Sequence, residues 1–528
     1  MEFRRSSGIL LHPTSLAAGT GIGDLGPAAY EFVDFLSSSA QSLWQVLPLG
    51  PTGYGDSPYQ CFSSFAGNTL LISLERLVEQ GLLSKDDLAH APSSKSGRID
   101  YGSVIKFKTS LLYKAFARFK HAATPEMRQD FEHFSRFARS WLDDYALFRA
   151  IGSRHDNAVW NRWEPDLARR KPEAIEQARR ELGEEIELQR FFQYLFFRQW
   201  SDLKTYSGEK GVKIIGDMPI FVAHNSSDLW THPDLFKLDE EGNPTVVAGV
   251  PPDYFSKTGQ LWGNPLYDWD RMREKGFEWW IGRMRLALQL FDIVRIDHFR
   301  AFAATWEVPA GDETAENGEW VEVPGREFFA ALNQEFGELP IIAEDLGLIT
   351  PDVIELRDEL GFPGMRVLQF AFGSDSRDMH LPHNYIKNTV VYTGTHDSDT
   401  VVGWFTSEED ESSTRDAEQI ERERDFCLKY LNTDGKEIHW DFIRAAFSSV
   451  AAIAIVQMQD LLGLDSHARM NIPASEEGNW SWRMPEGALS EGTDVRLRDM
   501  TWIYGRAPGQ DRPPDEDKEA APSSGEIS

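Results

Sequence analysis

The sequence predicts an α/β protein built on a closed (β/α)8 TIM barrel, with large, mainly helical insertions and no separate C-terminal β domain. Two observations predict it. Eight short apolar segments bounded by Gly, Pro or Asp alternate with helical patterns, and near-continuous apolar strands between helices indicate a parallel sheet. Three of these segments run into a carboxylate: DIVRIDHF into Asp297, LPIIAEDLG into Glu344 and TVVYTGTHDSDT into Asp397. Acids at the tips of several parallel strands are the way a barrel assembles a site at one face.

The strands are expected, in order, at about 8–12 (GILLH), 43–49 (LWQVLPL), 212–217 (VKIIGD), 291–296 (FDIVRI), 340–344 (PIIAE), 365–370 (MRVLQF), 389–394 (TVVYTG) and 468–472 (ARMNI). Helices are expected in PAAYEFVDFLSSS, where Pro27 suits a first helical position, and in DRMREKGFEWWIGRMRLALQLF. TPDVIELRDELG is a third, with Thr350 as N-cap before Pro351. The stretch from about 62 to 205 is amphipathic, as in SLLYKAFARFK and ELQRFFQYLFFRQWSDLK, and reads as a helical insertion. From about 218 to 270 the chain is rich in Gly, Pro and aromatic residues with little periodicity. It reads as an irregular active-site loop, because its three Phe, three Trp and two Tyr argue against disorder. The barrel is expected to span 1–504. The Pro-rich, charged stretch from about 505 to 528 is expected to be a flexible acidic tail.

Composition narrows the substrate. The 528 residues carry a net charge of −30, which repels nucleic acid and anionic membranes and disfavours polyphosphates. A neutral substrate fits best. No apolar stretch approaches about 18 residues, so no membrane span is expected. Two cysteines, Cys61 and Cys427, make neither a disulfide framework nor a metal cluster. The N-terminal MEFRRSSGILLHP lacks the apolar core of a signal peptide, and a cytoplasmic location is expected.

A lone strand-end acid is usually a helix cap or half of an ion pair. Three on separate strands, with His298 and His396 beside two of them, point to chemistry instead. Strand alternation puts Arg295 on the face of Asp297, where its charge would keep that acid ionised. Glu344 and Asp345 are adjacent and point to opposite faces. One of them faces the barrel axis, and the residues alone do not say which. Paired carboxyls about 5–5.5 Å apart across a glycosidic bond transfer sugars with retention. That division of labour needs one acid neutral and one ionised. Loop aromatics such as Tyr54, Tyr59, Tyr254 and Trp262 either plug into the core or cover the apolar face of a pyranose ring.

Competing motifs are present. GIGDLG (21–26) has the dinucleotide-binding spacing, but PTSLAA separates it from the preceding strand, so it reads as a tight turn. DSDT (397–400) resembles the D-x-D-x-T of Mg²⁺-dependent phosphoryl-transfer enzymes, though Gly394, Thr395 and His396 stand between strand and acid. A binding-only glucan protein would leave the three acids unexplained. An α-glucan hydrolase would share the carboxylates.

SSGILLHPTSL, GIGDLG, WQVLPLGPTGYGDSPYQ, IGDMPIFVAHNSSDLW, GVPPDYFSKTGQLWGNPLY, VRIDHFR, IIAEDLG, MRVLQFAF and YTGTHDSDT, with RMNIPA beyond them, resemble the 4-α-glucanotransferases of glycoside hydrolase family 77. The resemblance implies a retaining transfer of α-1,4-glucan segments with no cofactor and no metal. It implies Asp297 as nucleophile, Glu344 (rather than Asp345) as acid/base and Asp397 as transition-state stabiliser. Arg295, His298 and His396 are their implied partners. Ser57, Tyr59, Asp217, Tyr254, Gln260, Trp262, Asn264 and Asn471 are implied sugar-binding positions, and Tyr54 and Tyr101 a second glucan contact. The chain departs from the family pattern at Ser398 (commonly Asn), Thr69 (commonly Pro) and Asn225 (commonly Asp). Ser398 flanks Asp397 and is placed to tune it.

Overall fold

The computed structural model describes residues 2–92, 97–252, 258–408, 416–473, 475 and 478–509. Among these residues, twelve strands form two sheets. In chain order they are β1 (Ser6–Leu10), β2 (Leu43–Gln45), β3 (Lys213–Met218), β4 (Val246–Val250), β5 (Gln260–Pro265), β6 (Ile293–Ile296), β7 (Ala304–Pro309), β8 (Glu319–Glu322), β9 (Ile341–Ala343), β10 (Gly364–Val367), β11 (Thr389–Tyr392) and β12 (Ile453–Gln457).

The larger sheet is the expected barrel, with all eight strands parallel in the order β10-β11-β12-β1-β2-β3-β6-β9. Most of its strand positions are buried, because helices cover the outside and side chains fill the inside. The seam between β9 and β10 is closed by few backbone bonds and by Asp345. Ala343 N donates to Pro363 O at 3.0 Å, and Met365 N donates to the Asp345 carboxylate at 2.6 Å. Arg357 and Arg366 hold the same carboxylate. A Cβ on Gly364 would lie 2.3 Å from Asp345 Oδ2 and 2.7 Å from Arg357 Nη1. Gly364→Ala is therefore expected to push this buried ion pair apart and cost about 2 kcal/mol, read as a lower denaturant midpoint. An unchanged midpoint would mean that the seam yields freely.

The eighth strand corrects the sequence reading. Residues 468–472 form a connection, and β12 lies upstream at Ile453–Gln457. Every β12 position is buried, so it carries no alternation, and it follows the helix Ile438–Ser448 without Gly or Pro punctuation. Helix and strand merge into one apolar run. The 218–270 region is also more regular than expected. It contains β4 and β5, which join β7 and β8 in an antiparallel sheet of order β5-β4-β7-β8. The pattern DRMREKGFEWWIGRMRLALQLF forms two helices, Trp269–Glu274 and Glu278–Leu290, parted where Gly276 and Phe277 take positive φ of 62° and 56°.

The helical insertion lies between β2 and β3. Its longest members are Tyr101–Ala122, Arg139–Arg154 and Gly183–Glu209. In the last, Leu188, Phe192, Leu195, Phe196, Gln199 and Leu203 lie buried along one face at helical spacing. The amides of Gln193 and Gln199 each bond both backbone groups of one residue, Gly67 and Ser73, and so fix the loop that leaves β2. Helix Pro27–Ser38 starts at Pro27 as expected. Thr350 precedes helix Pro351–Glu359, but its hydroxyl accepts from Arg300 at 2.8 Å rather than capping.

The expected tail begins too early at 505. Arg506 is 1% exposed and donates to the carbonyls of Phe447, Ser6 and Ala451 at 2.9, 2.9 and 3.0 Å. Arg5 reaches two of these carbonyls, Phe447 O at 2.8 Å and Ala451 O at 3.3 Å, so Arg5 and Arg506 share one anchorage under the barrel. The rest of that stretch, 510–528, lies outside the described residues. Among the described residues, no helix is long and apolar enough to cross a membrane.

Candidate active site

The three acids leave the same end of the barrel. Asp297 and Glu344 directly follow β6 and β9, and Asp397 follows β11 across Thr393–His396. Backbone bonds lace the first two tips together. Glu344 N donates to Ile296 O, Phe299 N to Glu344 O, and Asp297 N to Met218 O, each at 3.0 Å. His298 then turns the chain with φ 51°, and Phe299 and Phe302 drop into a cluster with Phe328 and Phe329. This aromatic anchor holds the β6 tip.

The environments of the acids differ. Arg295, 3% exposed, sits on the face of Asp297 as strand alternation predicts. Its Nη1 lies 3.0 Å from Asp297 Oδ1 and 2.7 and 2.6 Å from the two oxygens of buried Asp217. Glu344 accepts from His298 N at 2.6 Å and from Leu346 N at 2.9 Å. Burial, reinforced by the negative charge of Asp297, still pushes its carboxyl up to about 8. Asp345 points away into the seam, so Glu344 is the member of the pair that faces the site.

Asp397 is half-exposed. Asn471 donates to its Oδ1 at 2.6 Å, His396 Nε2 lies 3.3 Å from its Oδ2, and Arg469 donates to its backbone carbonyl at 2.8 Å. Tyr59 links the two sides of the site. Its hydroxyl donates to Asp217 at 2.9 Å, and its ring stacks on His396 at 5.1 Å. Burial lowers His298 to about 4, so its imidazole is neutral at neutral pH. Ser398 Oγ accepts from Thr395 N at 3.2 Å and so braces the turn carrying Asp397.

On the rim, Trp262 presents its ring to His298 edge-on at 4.7 Å and donates to Gln260 at 3.1 Å. Three expected sugar contacts have protein partners. Asn264 is 7% exposed and donates to Val222 O at 3.0 Å. Ser57 Oγ accepts from Tyr59 N at 3.3 Å. The Tyr101 hydroxyl donates to Trp480 O at 2.8 Å, with its ring on the small cluster of Ile22, Leu70, Ile99 and Val104. Tyr54 lies in the short turn Tyr54–Asp56. Tyr254 lies outside the described residues.

Sequence reasoning missed Trp480, Phe221 and Arg469. Trp480 lies 5.7 Å from Tyr59 and 5.9 Å from His396, and Phe221 lies 6.2 Å from His298. Trp480 follows Gly478 and Asn479 in a loop, the same signal that picked out Tyr54 and Trp262. The competing motifs also resolve. Asp24 of GIGDLG accepts a buried ion pair from Lys108 at 2.9 Å. Asp399 of DSDT is taken by Ser466 Oγ at 2.6 Å and Thr400 N at 2.7 Å.

The family model for 4-alpha-glucanotransferase matches residues 11–490. The 4-alpha-glucanotransferase of Synechocystis is 50% identical over 507 residues, covering 95% of this chain and 98% of the relative. The Thermus thermophilus 4-alpha-glucanotransferase is 49% identical, covering 95% and 99%. An amylomaltase from Streptococcus agalactiae, solved in complex with acarbose, superposes with a TM-score of 0.90 at 39% identity, covering 96% of this chain and all 100% of that one. The chain belongs to the 4-alpha-glucanotransferases of glycoside hydrolase family 77.

Proposed function

We propose that this 4-alpha-glucanotransferase moves a segment of an α-1,4-glucan to the 4-hydroxyl of an acceptor glucose or maltodextrin by retaining double displacement. The observation that carries this reading is the opposed setting of two neighbouring acids, Asp297 ion-paired to Arg295 and Glu344 raised to about 8. Glu344 protonates the departing glycosidic oxygen while Asp297 attacks the anomeric carbon. The covalent glycosyl-enzyme consumes the charge of Asp297, which removes one of the two forces holding Glu344 protonated. Glu344, now stripped of its proton, then accepts the proton of the incoming 4-hydroxyl, and the new bond forms with retention. Asp397, with Asn471 and His396 on its two oxygens, stabilises the positive charge that develops on the sugar ring in the transition state of each step. Arg295, His298 and His396 orient the acids. Asp217, Tyr59, Ser57, Gln260, Trp262, Asn264, Asn471 and Tyr254 line or support the glucan cleft, and Tyr54 and Tyr101 belong to a second glucan contact. Cys61 and Cys427 are both free, which suits the reducing cytoplasm.

Maltotriose with EDTA tests the reading. A ladder of longer maltodextrins with glucose as co-product is the expected result. Glucose and maltose without a ladder would make the enzyme a hydrolase. Activity lost to the chelator would return the DSDT motif to consideration. Transfer outruns hydrolysis only while water is kept from the intermediate. Trp262→Ala opens the rim beside His298 and is expected to raise glucose release relative to transfer several-fold in product-size analysis. Unchanged partitioning would assign water exclusion to other groups.

A further inference from the structure

We propose that Asp460, a fully buried residue outside the set of sequence-predicted site residues, is the positioning residue for the Asp397 loop, which it holds closed by bonding both ends at once. Asp460 lies in the short helix Met458–Leu461, directly after β12, and is fully buried. One carboxylate oxygen accepts from Thr393 Oγ1 at 2.6 Å, where the chain leaves β11. The other accepts from Val401 N at 2.7 Å, where helix Val401–Thr406 begins. Between these points the loop carries His396 and Asp397 out and back. A single carboxylate thus fixes the distance between the two feet of the loop.

The segment that follows Asp460 continues the hold. Ser466 takes Asp399 at 2.6 Å, Arg469 takes the Asp397 carbonyl at 2.8 Å, and Asn471 takes the Asp397 carboxylate at 2.6 Å. These groups are at or near the surface, where water competes for each bond. Asp460 is the buried root of the arrangement. Val401 N begins a helix, and so has no intrahelical acceptor. Without Asp460, this amide and the Thr393 hydroxyl both lose a buried acceptor, and the loop gains freedom at both feet. Gln457 adds a longer contact of 3.4 Å to the same carboxylate, from a side chain whose own amide lies where a Cβ on Gly394 would fall. The loop is therefore held mainly by the end of β12 and the segment after it, with Gln369 adding a bond to the Asp399 carbonyl at 2.8 Å, although its acid follows β11.

This inference rests on Asp397 acting on the transition state, as proposed above. A group that acts there changes kcat more than ground-state binding. Asp460→Ala is expected to lower kcat for maltotriose transfer about 100-fold, the effect of an acid misplaced by about 1 Å, with KM changed less than about threefold. Asp460→Asn is nearly isosteric. Its amide oxygen can accept from Val401 N and its amide nitrogen can donate to Thr393 Oγ1, so kcat is expected to return to within about fivefold of the parent. If Asp460→Ala does not fold by circular dichroism, Thr393→Val removes one foot alone and is expected to lower kcat about tenfold at unchanged KM. Unaltered kcat in the folded variants would overturn the assignment. So would a loss carried by KM, or Asp460→Asn as defective as Asp460→Ala. Asp397→Ala serves as the control. If it retains full transfer, the mechanistic reading fails rather than the role of Asp460.

Discussion

Asp297→Asn is expected to abolish transfer, with kcat falling at least about 10⁴-fold. The substitution changes one oxygen to nitrogen at the β6 tip, so the shape of the cleft survives. Arg295 does not become an unpaired buried cation, because Asp217 still receives it at 2.7 and 2.6 Å. The variant should therefore fold and bind maltotriose near the parent affinity, which isothermal titration would read. What it lacks is the anionic carboxylate oxygen that forms the bond to the anomeric carbon, since a neutral amide oxygen is a poor nucleophile. A donor that leaves without protonation, such as α-glucosyl fluoride, gives no relief, since the missing step is attack and not departure. Product from the fluoride at more than about one per cent of the parent rate would place the nucleophile elsewhere.

How far the sequence disclosed this site depends on which physical signal each residue leaves. Asp297, Glu344 and Asp397 stood out because each breaks an apolar run at a place where a strand must stop. Arg295 followed from alternation alone, and the structure puts it 3.0 Å from Asp297. The choice between Glu344 and Asp345 was open to local reasoning, because both faces of a buried strand are occupied. The structure separates them by their partners, two backbone amides for Glu344 and two arginines for Asp345. Asp460 left no signal. Its function is to accept two bonds from a loop far away in sequence, and nothing near it in the chain announces that.

The fold shows the same division. Strands flanked by Gly, Pro or Asp were placed to within a few residues, as β3 and β6 were. β12 was missed because it is buried on both faces and abuts a helix with an equally apolar face. The β5-β4-β7-β8 sheet was missed for the opposite reason. Its strands are short and largely exposed at the edges, and Gly249, Gly263 and Pro265 read as turns. The start of the tail was misread because Arg506 sits in a Pro-rich, charged context. Its burial is supported by the backbone carbonyls that end helix Ile438–Ser448, which no composition reveals.

Glu344→Gln should behave differently from Asp297→Asn, and the difference separates the two roles. With maltotriose the variant is expected to lose about 10²–10⁴-fold in kcat, because the departing sugar oxygen receives no proton. With α-glucosyl fluoride the first step needs no acid and should proceed. The second step still needs a base, so the glycosyl-enzyme should accumulate, visible by mass spectrometry as a glucosyl unit on the peptide containing Asp297. Azide requires no deprotonation and should release it as the α-glucosyl azide. The pH profile supplies an independent reading. Glu344 must start protonated, and burial together with Asp297 raises it to about 8. In the parent, kcat/KM for maltotriose should therefore hold below that pH and fall as pH rises through it. The fall runs in this direction because the raised group is needed in its acid form. In Glu344→Gln acting on the fluoride, the alkaline fall should vanish, since the titrating acid is gone and the leaving group does not call for it. A fall that persists unchanged would belong to another group, and Glu344 would then not be the acid.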